Sequence, residues 1–218
     1  MKISKTRTMV ECSLLVALAL IFRFIPVFSM PLGGSVTIGG MAPLVIASLR
    51  HGPRWGVLTS GVYAIIRALS PRGVGNVLFV ANLPASPVLS DYLQALPAMA
   101  GVVLFDYIVA YAVMGLAYIF AVRFNNRITG ACVGAAVTGF LRYLCHVISG
   151  VIIWRRYITN DVTFLGIHVS ADNAGWIYSF VYNATYMLPE IIITVVVVGV
   201  VVKVFMSKFF APPAESSI

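Results

Sequence analysis

Residues 176–202 read WIYSFVYNATYMLPEIIITVVVVGVVV, with Glu190 as their one charged side chain. About 20 mostly apolar residues are needed to cross the hydrocarbon core of a bilayer, and this run exceeds that. Pro189 is expected to kink it. The rest of the chain has the same character. Of its 218 residues 60% are hydrophobic and 10% charged, with a mean hydropathy of +0.96. Soluble globular proteins carry about 25% charged residues. A chain this poor in charge cannot cover a water-facing surface, so its main solvent is lipid.

Five further apolar segments lie upstream: Val10–Met30, Pro31–Leu49, Trp55–Leu69, Ala98–Val122 and Gly130–Trp154. Glycines at 33, 34, 39 and 40 make the start of the second irregular, and the third is short. Residues 70–97 are too rich in Pro, Gly, Asn and Ser for a spanning helix and too apolar for a linker. They read as an ordered outer loop with short helical pieces. The expected fold is an all-α membrane protein of six transmembrane helices, one domain over residues 1–218, with structured outer loops at 70–97 and 155–175. Pro212–Ile218 reads as a short polar tail, and no internal repeat is visible.

Basic residues set the orientation. Lys2, Lys5 and Arg7, then Arg50 and Arg54, then Arg123 and Arg127, then Lys203 and Lys208 fall on one side. Only Arg72, Arg155 and Arg156 fall on the other. The positive-inside rule then puts both termini in the cytoplasm. The net charge of +8 follows helix ends rather than an aromatic-interleaved stripe, so nucleic acid is not the expected partner. Cys12, Cys132 and Cys145 have no metal-ligand spacing. No cleavage pattern precedes the first apolar run, which reads as a retained helix.

A charge at a helix centre costs about 2.5–3.5 kcal/mol on insertion scales and so needs a partner or a wet cavity. Arg23, Arg67, Asp106, Arg142, His146 and Glu190 are such groups. Arg142 and His146, four apart, share a helix face, with Trp154 two turns beyond. That set fits a ligand site, or equally a hydrogen-bonded histidine beside an interfacial tryptophan. Trp176, Tyr178, Tyr182 and Tyr186 fit an aromatic belt, which leaves Asn183 without a reason. Tyr178 and Asn183, five apart, can face one ligand only if Tyr178 lies at or before the helix start. Glu190 is expected to be the structural partner of a buried arginine. Asp106 is expected where the fourth helix starts, either as a carboxylate favoured by the helix dipole or facing a cationic ligand. Ser13 and Ala17 form a small-x-x-x-small face on the first helix, and Gly130 and Gly134 another on the fifth. No phosphate-binding loop, metalloprotease motif or nucleophile elbow occurs, so the chain is not expected to be an enzyme.

At these residues the sequence resembles the thiamine-specific substrate-binding subunit, or S component, of energy-coupling factor vitamin transporters. The resemblance is carried by LRYLCHVISG at 141–150 with Trp154 and Tyr157, and by Tyr178-Ser179 with YNATYMLPE at 182–190. FDYIVA at 105–110 running to Gly115-Leu116 adds to it, and more weakly so do Pro43, Ser48-Leu49-Arg50 and Gly52. It implies six helices with both termini inside and a site near the outer face. It places the ligand-binding residues at Asp106, Arg142, His146, Trp154, Tyr178 and Asn183. It implies docking of Ser13 and Ala17 on a transmembrane coupling subunit that works with two ATP-binding subunits. The ligand implied is thiamine, a thiazolium cation joined to an aminopyrimidine, with no cofactor. Another vitamin or aminopyrimidine precursor is the alternative within this class, and a stand-alone secondary transporter the alternative outside it. Three features depart from the family pattern: Asp106 where some relatives have Glu, Gly33-Gly34-Ser35 where an aromatic is expected, and the long 70–97 and 155–175 loops.

Overall fold

The computed structural model describes residues 4–29, 34–158, 161–164, 166–171 and 175–209. Gly33, Asp172 and the tail from Pro212 to Ile218 lie outside them. Helix α1 spans Lys5–Arg23. Strands β1 (Pro26–Ser29) and β2 (Ser35–Thr37) pair antiparallel. Helix α2 covers Ala42–Ala68 and α3 covers Pro71–Ala81. Helix α4 runs as one rod over Leu89–Ala121, α5 over Arg127–Ile152 and α6 over Trp176–Phe209. Between α5 and α6, strands β3 (Val162–Phe164) and β4 (Ile167–Val169) form a second hairpin, turned at Gly166.

Helices α4, α5 and the 176–205 stretch of α6 are each long and apolar enough to cross a membrane, and the α2–α3 pair, bent by 65°, passes the same test together. Burial on α6 fits lipid contact. Ile192, Val196, Val200 and Val204 recur every four residues and are exposed, while Val198 and Val202 on the other face are buried. The two faces differ by position around the helix, as a bundle in lipid requires.

Several expectations are corrected. The fold is helical but not purely so, because two β-hairpins interrupt it. The first helix ends at Arg23, and the chain turns at Phe24 and Ile25 into the β1–β2 hairpin. The second apolar segment therefore contributes helix only from Ala42. The 70–97 region holds a short helical piece as expected, α3 in its first half, but α4 already begins at Leu89, carrying Pro97 inside it. A backbone N–H of Val88 bonded to Asp91 Oδ2 at 2.9 Å starts that helix. Proline breaks helices in water, but bilayer helices tolerate it where neighbours and local π or 3₁₀ adjustments satisfy the freed carbonyl. Asp106 accordingly sits in mid-helix rather than at a start. Glu190 has no arginine within ion-pair distance among the described residues, although Arg142 and Arg23 act on its charge; its direct partner is Thr37, whose N (2.5 Å) and Oγ1 (2.7 Å) donate to it and tie α6 to β2.

Helix α2 is a hairpin of two arms. Gly52 has φ 82° and ψ 173°, a left-sided conformation open to glycine, and Pro53 follows it. A Cβ on Gly56 would fall 2.7 Å from the Cα of Ser48, which is impossible in a continuous helix and requires the second arm to fold back on the first. The same Gly56 meets Gly115 of α4, where an added Cβ would lie 2.3 Å from the backbone of Gly56. Small residues that let backbones touch are a main source of helix association in lipid. Ser48 completes this junction. Its hydroxyl donates to Gly115 O (2.5 Å) and accepts from Tyr118 N (3.1 Å), serving backbone groups where α4 passes through a 3₁₀ turn at Val113–Leu116. Further along, Gly130 and Gly134 lie against the carbonyls of Ala121 and Ala117, so that face serves internal packing of α5 on α4. Near the Gly52 turn, Glu11 of α1 receives Arg50 Nε (2.6 Å) and Nη2 (2.9 Å), clamping α1 to the hairpin.

Candidate functional site

The fold brings most of the intramembrane polar groups together at one cavity, lined by Arg23, Arg67, Asp106, Arg142 and His146. Asp106 lies in a π-helical stretch, Val103–Val109, of α4. Such segments widen the helix and commonly mark functional positions. Tyr107 within this stretch and Tyr111 just after it are buried, each 5% exposed. Trp154 Nε1 donates to Asp106 Oδ2 at 2.8 Å, and His146 Nδ1 lies 3.1 Å from Oδ1. A carboxylate only accepts, so the imidazole proton belongs on Nδ1, and Nε2 is left with a bare lone pair. That Nε2 is buried without a protein partner and borders a cavity with about 830 Å³ of atom-free space, part of it open to solvent. The arrangement offers an acceptor to an N–H or N–H₂ group.

Aromatic side chains gather around this point, with Trp154, Tyr178, Tyr182 and Tyr186 bordering the cavity and Phe79 and Tyr157 packed on Trp154. Phe79 of α3 stacks on Trp154 (6.1 Å between centroids, 16° between planes) and also touches Tyr157, whose hydroxyl is anchored on Val80 O at 2.7 Å. Tyr178 and Tyr182 stack at 6.0 Å and 12°, and Tyr186 meets His146 edge-on at 6.3 Å. Aromatic faces attract a cation by about 0.5–2 kcal/mol. Tyr178 lies in the first turn of α6, and it borders the cavity together with Asn183, as the sequence required of them.

Asn183 is more constrained than its residue type implied. Its Nδ2 donates to Ser179 O at 2.8 Å, and its Oδ1 accepts from Tyr186 at 2.5 Å. Ser179 in turn donates to Val147 O at 2.9 Å, over Gly150, where any Cβ would collide with the Ser179 hydroxyl. Asn183 thus locks α6 onto α5 while presenting its remaining acceptor capacity inward. Gly34, at φ 81°, touches Tyr186: an added Cβ would sit 2.7 Å from its ring. An aromatic was expected in that stretch, but at position 34 the close approach of β2 leaves no room for a side chain.

The structure brings Asp106, Arg142, His146, Trp154, Tyr178 and Asn183 to one cavity. Trp154 stands in a 3₁₀ turn just past α5 rather than at its end. Arg142 is 8% exposed, and its guanidinium lies 4.8 Å from the Tyr111 ring centroid. The cavity is also lined by Arg23, Arg67 and Tyr182, which the sequence singles out without assigning them to a ligand, and by Arg72, Asn76 and Tyr111, which it does not single out. Arg23 and Arg67 were legible as charges inside apolar segments; Arg72 and Asn76 were not, because they lie on α3, read as loop. Ser13 and Ala17 are far from this cavity, exposed on α1 beside Val10, Leu14, Leu18 and Ile21, while Cys12, Val16 and Ala19 are buried on its other face.

A multi-pass helical membrane protein with a polar, aromatic-walled cavity at one end of its bundle is a transport-class protein rather than a catalyst. Comparison with known proteins gives the family. Residues 9–210 match the family model described as Thiamine transporter protein (Thia_YuaJ), and the chain belongs to that family. Thiamine transporter ThiT of Bacillus subtilis (strain 168) is 30% identical over 200 residues, covering 87% of this chain and 86% of the relative. Thiamine transporter ThiT of Lacticaseibacillus paracasei is 23% identical over 189 residues, covering 81% and 78%. The solved structure of ThiT from Listeria monocytogenes shares the fold, with a TM-score of 0.58 over 94% of this chain and 97% of that one, at 19% identity.

Proposed function

We propose that this chain is the substrate-binding subunit of an energy-coupling factor transporter, capturing thiamine at the outer face for uptake driven by ATP hydrolysis in partner subunits. The observation that carries the reading is the Asp106–His146–Trp154 triad, whose free histidine Nε2 is matched to an exocyclic amine, set among aromatic side chains suited to a flat cation. Arg142, Tyr178 and Asn183 complete the ligand site.

The topology we infer has six spans in one domain over residues 1–218: α1, the two arms of α2, α4, α5 and α6. The first arm, Ala42 to the Gly52 turn, is only about 15 Å long at 1.5 Å per residue, so β2 ahead of it supplies the rest of that crossing. Arg50 and Arg54 at the Gly52 turn and Arg123 and Arg127 between α4 and α5 mark the cytoplasmic side, which both termini share. The cavity then opens outward. The exposed Ser13–Ala17 face of α1 is the docking surface for a transmembrane coupling subunit, which two ATP-binding subunits drive.

Tryptophan fluorescence of the detergent-purified chain tests the ligand. Thiamine should quench it saturably, Trp154→Ala should abolish the change, and His146→Ala should weaken it. A folded wild-type sample that shows no response refutes thiamine as the ligand. Uptake into liposomes by this chain alone, driven by an ion gradient, refutes the coupled mechanism.

A further inference from the structure

Trp154 is the member of the triad with the least support from its own helix. It stands in the 3₁₀ turn Trp154–Tyr157, after α5 has ended, whereas Asp106 and His146 sit inside α4 and α5. Its bond to Asp106 fixes only the Nε1 edge of the indole. The face of the ring is held from α3 by Phe79, which stacks on it at 6.1 Å and 16°. Phe79 does not line the cavity and is 52% exposed, so neither ligand contact nor core burial accounts for where its ring lies. Its backbone is pinned on both sides. The carbonyl of the next residue, Val80, accepts from the Tyr157 hydroxyl at 2.7 Å, and Asn76, about one turn earlier, donates to the Tyr107 hydroxyl at 3.1 Å. Tyr157 also meets the Phe79 and Trp154 rings, at 5.1 Å and 6.3 Å between centroids. The start of α3 is fixed as well, since a Cβ on Gly73 would fall 2.4 Å from the Ala68 carbonyl oxygen at the end of α2. Gly34 and Ser35, which border the same cavity from the β1–β2 hairpin, offer no ring for this purpose.

We propose that Phe79 is a positioning residue for the ligand site: seated on α3, it holds the Trp154 indole in the orientation that donates to Asp106, so that the site is ordered before the ligand arrives. The inference rests on the thiamine reading of that site. The effect runs through named bonds. With the indole held, one Asp106 oxygen is taken by Trp154 Nε1 and the other is left to His146 Nδ1, which keeps the His146 Nε2 lone pair available to the ligand. Without Phe79 the indole gains side-chain freedom in the ligand-free protein, and ordering it becomes a cost of binding. A ring suits this task because aromatic pairs add a directional attraction to the area they bury. An aliphatic chain of similar bulk fills the space without selecting a ring plane. Phe79 acts only through Trp154. Helix α3 lies in the 70–97 region, whose length departs from the family pattern, so the residue that steadies Trp154 comes from the part of the chain that sets it apart.

The tryptophans are Trp55, Trp154 and Trp176, so a full-length reference protein carrying Trp55→Phe and Trp176→Phe leaves Trp154 as the sole reporter. Thiamine affinity by isothermal titration, and the fluorescence anisotropy of Trp154 without ligand, are measured for the reference protein and for Phe79→Tyr, Phe79→Leu and Phe79→Ala in it. Phe79→Ala should weaken thiamine by about threefold to tenfold, the scale of one aromatic pair, and lower the anisotropy. Phe79→Leu should move both readouts the same way, and it carries the test if Phe79→Ala does not fold. Phe79→Tyr keeps the ring and should stay within about twofold of the reference. Affinity unchanged in Phe79→Ala overturns the positioning role. Phe79→Leu matching the reference overturns it too, because bulk alone would then suffice. So does a loss of affinity with the Trp154 anisotropy unchanged, which would place the effect elsewhere. Each of these results, with the reference protein binding thiamine, leaves the thiamine reading standing. A folded reference protein that binds no thiamine overturns that reading, and the anisotropy series then decides by itself whether Phe79 holds Trp154.

Discussion

Asp106→Asn is the substitution that separates a structural carboxylate from a ligand-organising one. The ionised side chain accepts from Trp154 Nε1 (2.8 Å) and from His146 Nδ1 (3.1 Å) at once. An amide has one acceptor and one donor end, so it can satisfy only one of these N–H groups. If its oxygen stays with Trp154, its NH₂ faces His146 Nδ1 and drives the imidazole proton to Nε2. The acceptor offered to the ligand then becomes a donor. Two bonds to a charged group, each worth about 1.5–3 kcal/mol, are replaced by neutral ones of about 0.5–1.5 kcal/mol, a loss of about 2 kcal/mol across the pair. The reversed Nε2 leaves a ligand N–H unpaired at about 1–3 kcal/mol. If half of the first loss is felt only with the ligand bound, thiamine affinity falls by about 2–4 kcal/mol, or about thirtyfold to a thousandfold. Isothermal titration of the purified variant measures this, with its melting temperature recorded beside it. Asp106→Glu keeps the acceptor chemistry at one methylene more reach and should retain more affinity than the amide. An Asp106→Asn protein that binds thiamine within threefold of wild type refutes the assigned tautomer and the role of the triad.

Gly34→Ala should lower stability, by about 1–3 kcal/mol, because the new Cβ meets the Tyr186 ring at 2.7 Å on a backbone with φ 81°. Thermal unfolding reports the loss, and an unchanged midpoint would mean that β2 does not rest on α6. Ser48→Ala strips a buried hydroxyl from Gly115 O and Tyr118 N, and should destabilise by about 1–3 kcal/mol through the unsatisfied backbone groups; unchanged thermal stability would show that another group serves them. Ala17→Leu places a large side chain on the exposed face of α1. It should leave thiamine affinity as in wild type and abolish ATP-dependent uptake in reconstituted liposomes. Normal uptake by that variant removes this face from the docking surface.

The charge-poor composition and the apolar runs of α4, α5 and α6 were enough to place the chain in a bilayer, because lipid solvation constrains composition more tightly than it constrains shape. The pairing of Arg142 with His146 was legible too, since spacing by four on a helix is local geometry. Local patterns also marked Asp106, Trp154, Tyr178 and Asn183 through the resemblance they carry. Their convergence on one cavity was not readable, because it depends on non-local contacts such as Trp154 Nε1 to Asp106 across 48 positions. The helix α3 lies within the expected loop with short helical pieces, and its bounds were hidden for a related reason. Its Pro71, Gly73, Gly75 and Asn76 argue for a loop one residue at a time, yet Pro71 sits in the first turn, where proline is tolerated, and Ser70 Oγ accepts from Gly73 N to cap it. Glu190 shows the same limit: sequence can say that a buried carboxylate needs partners, but the β1–β2 hairpin alone delivers Thr37 to it. The solvent, the helical periodicity and the residue types available for chemistry are legible from a few neighbouring positions at a time. Which backbones touch at Gly56 and Gly115, which partner each buried polar group takes, and that four arginines from α1, α2, α3 and α5 border one cavity come from the tertiary fold, because each is an encounter between segments distant along the chain.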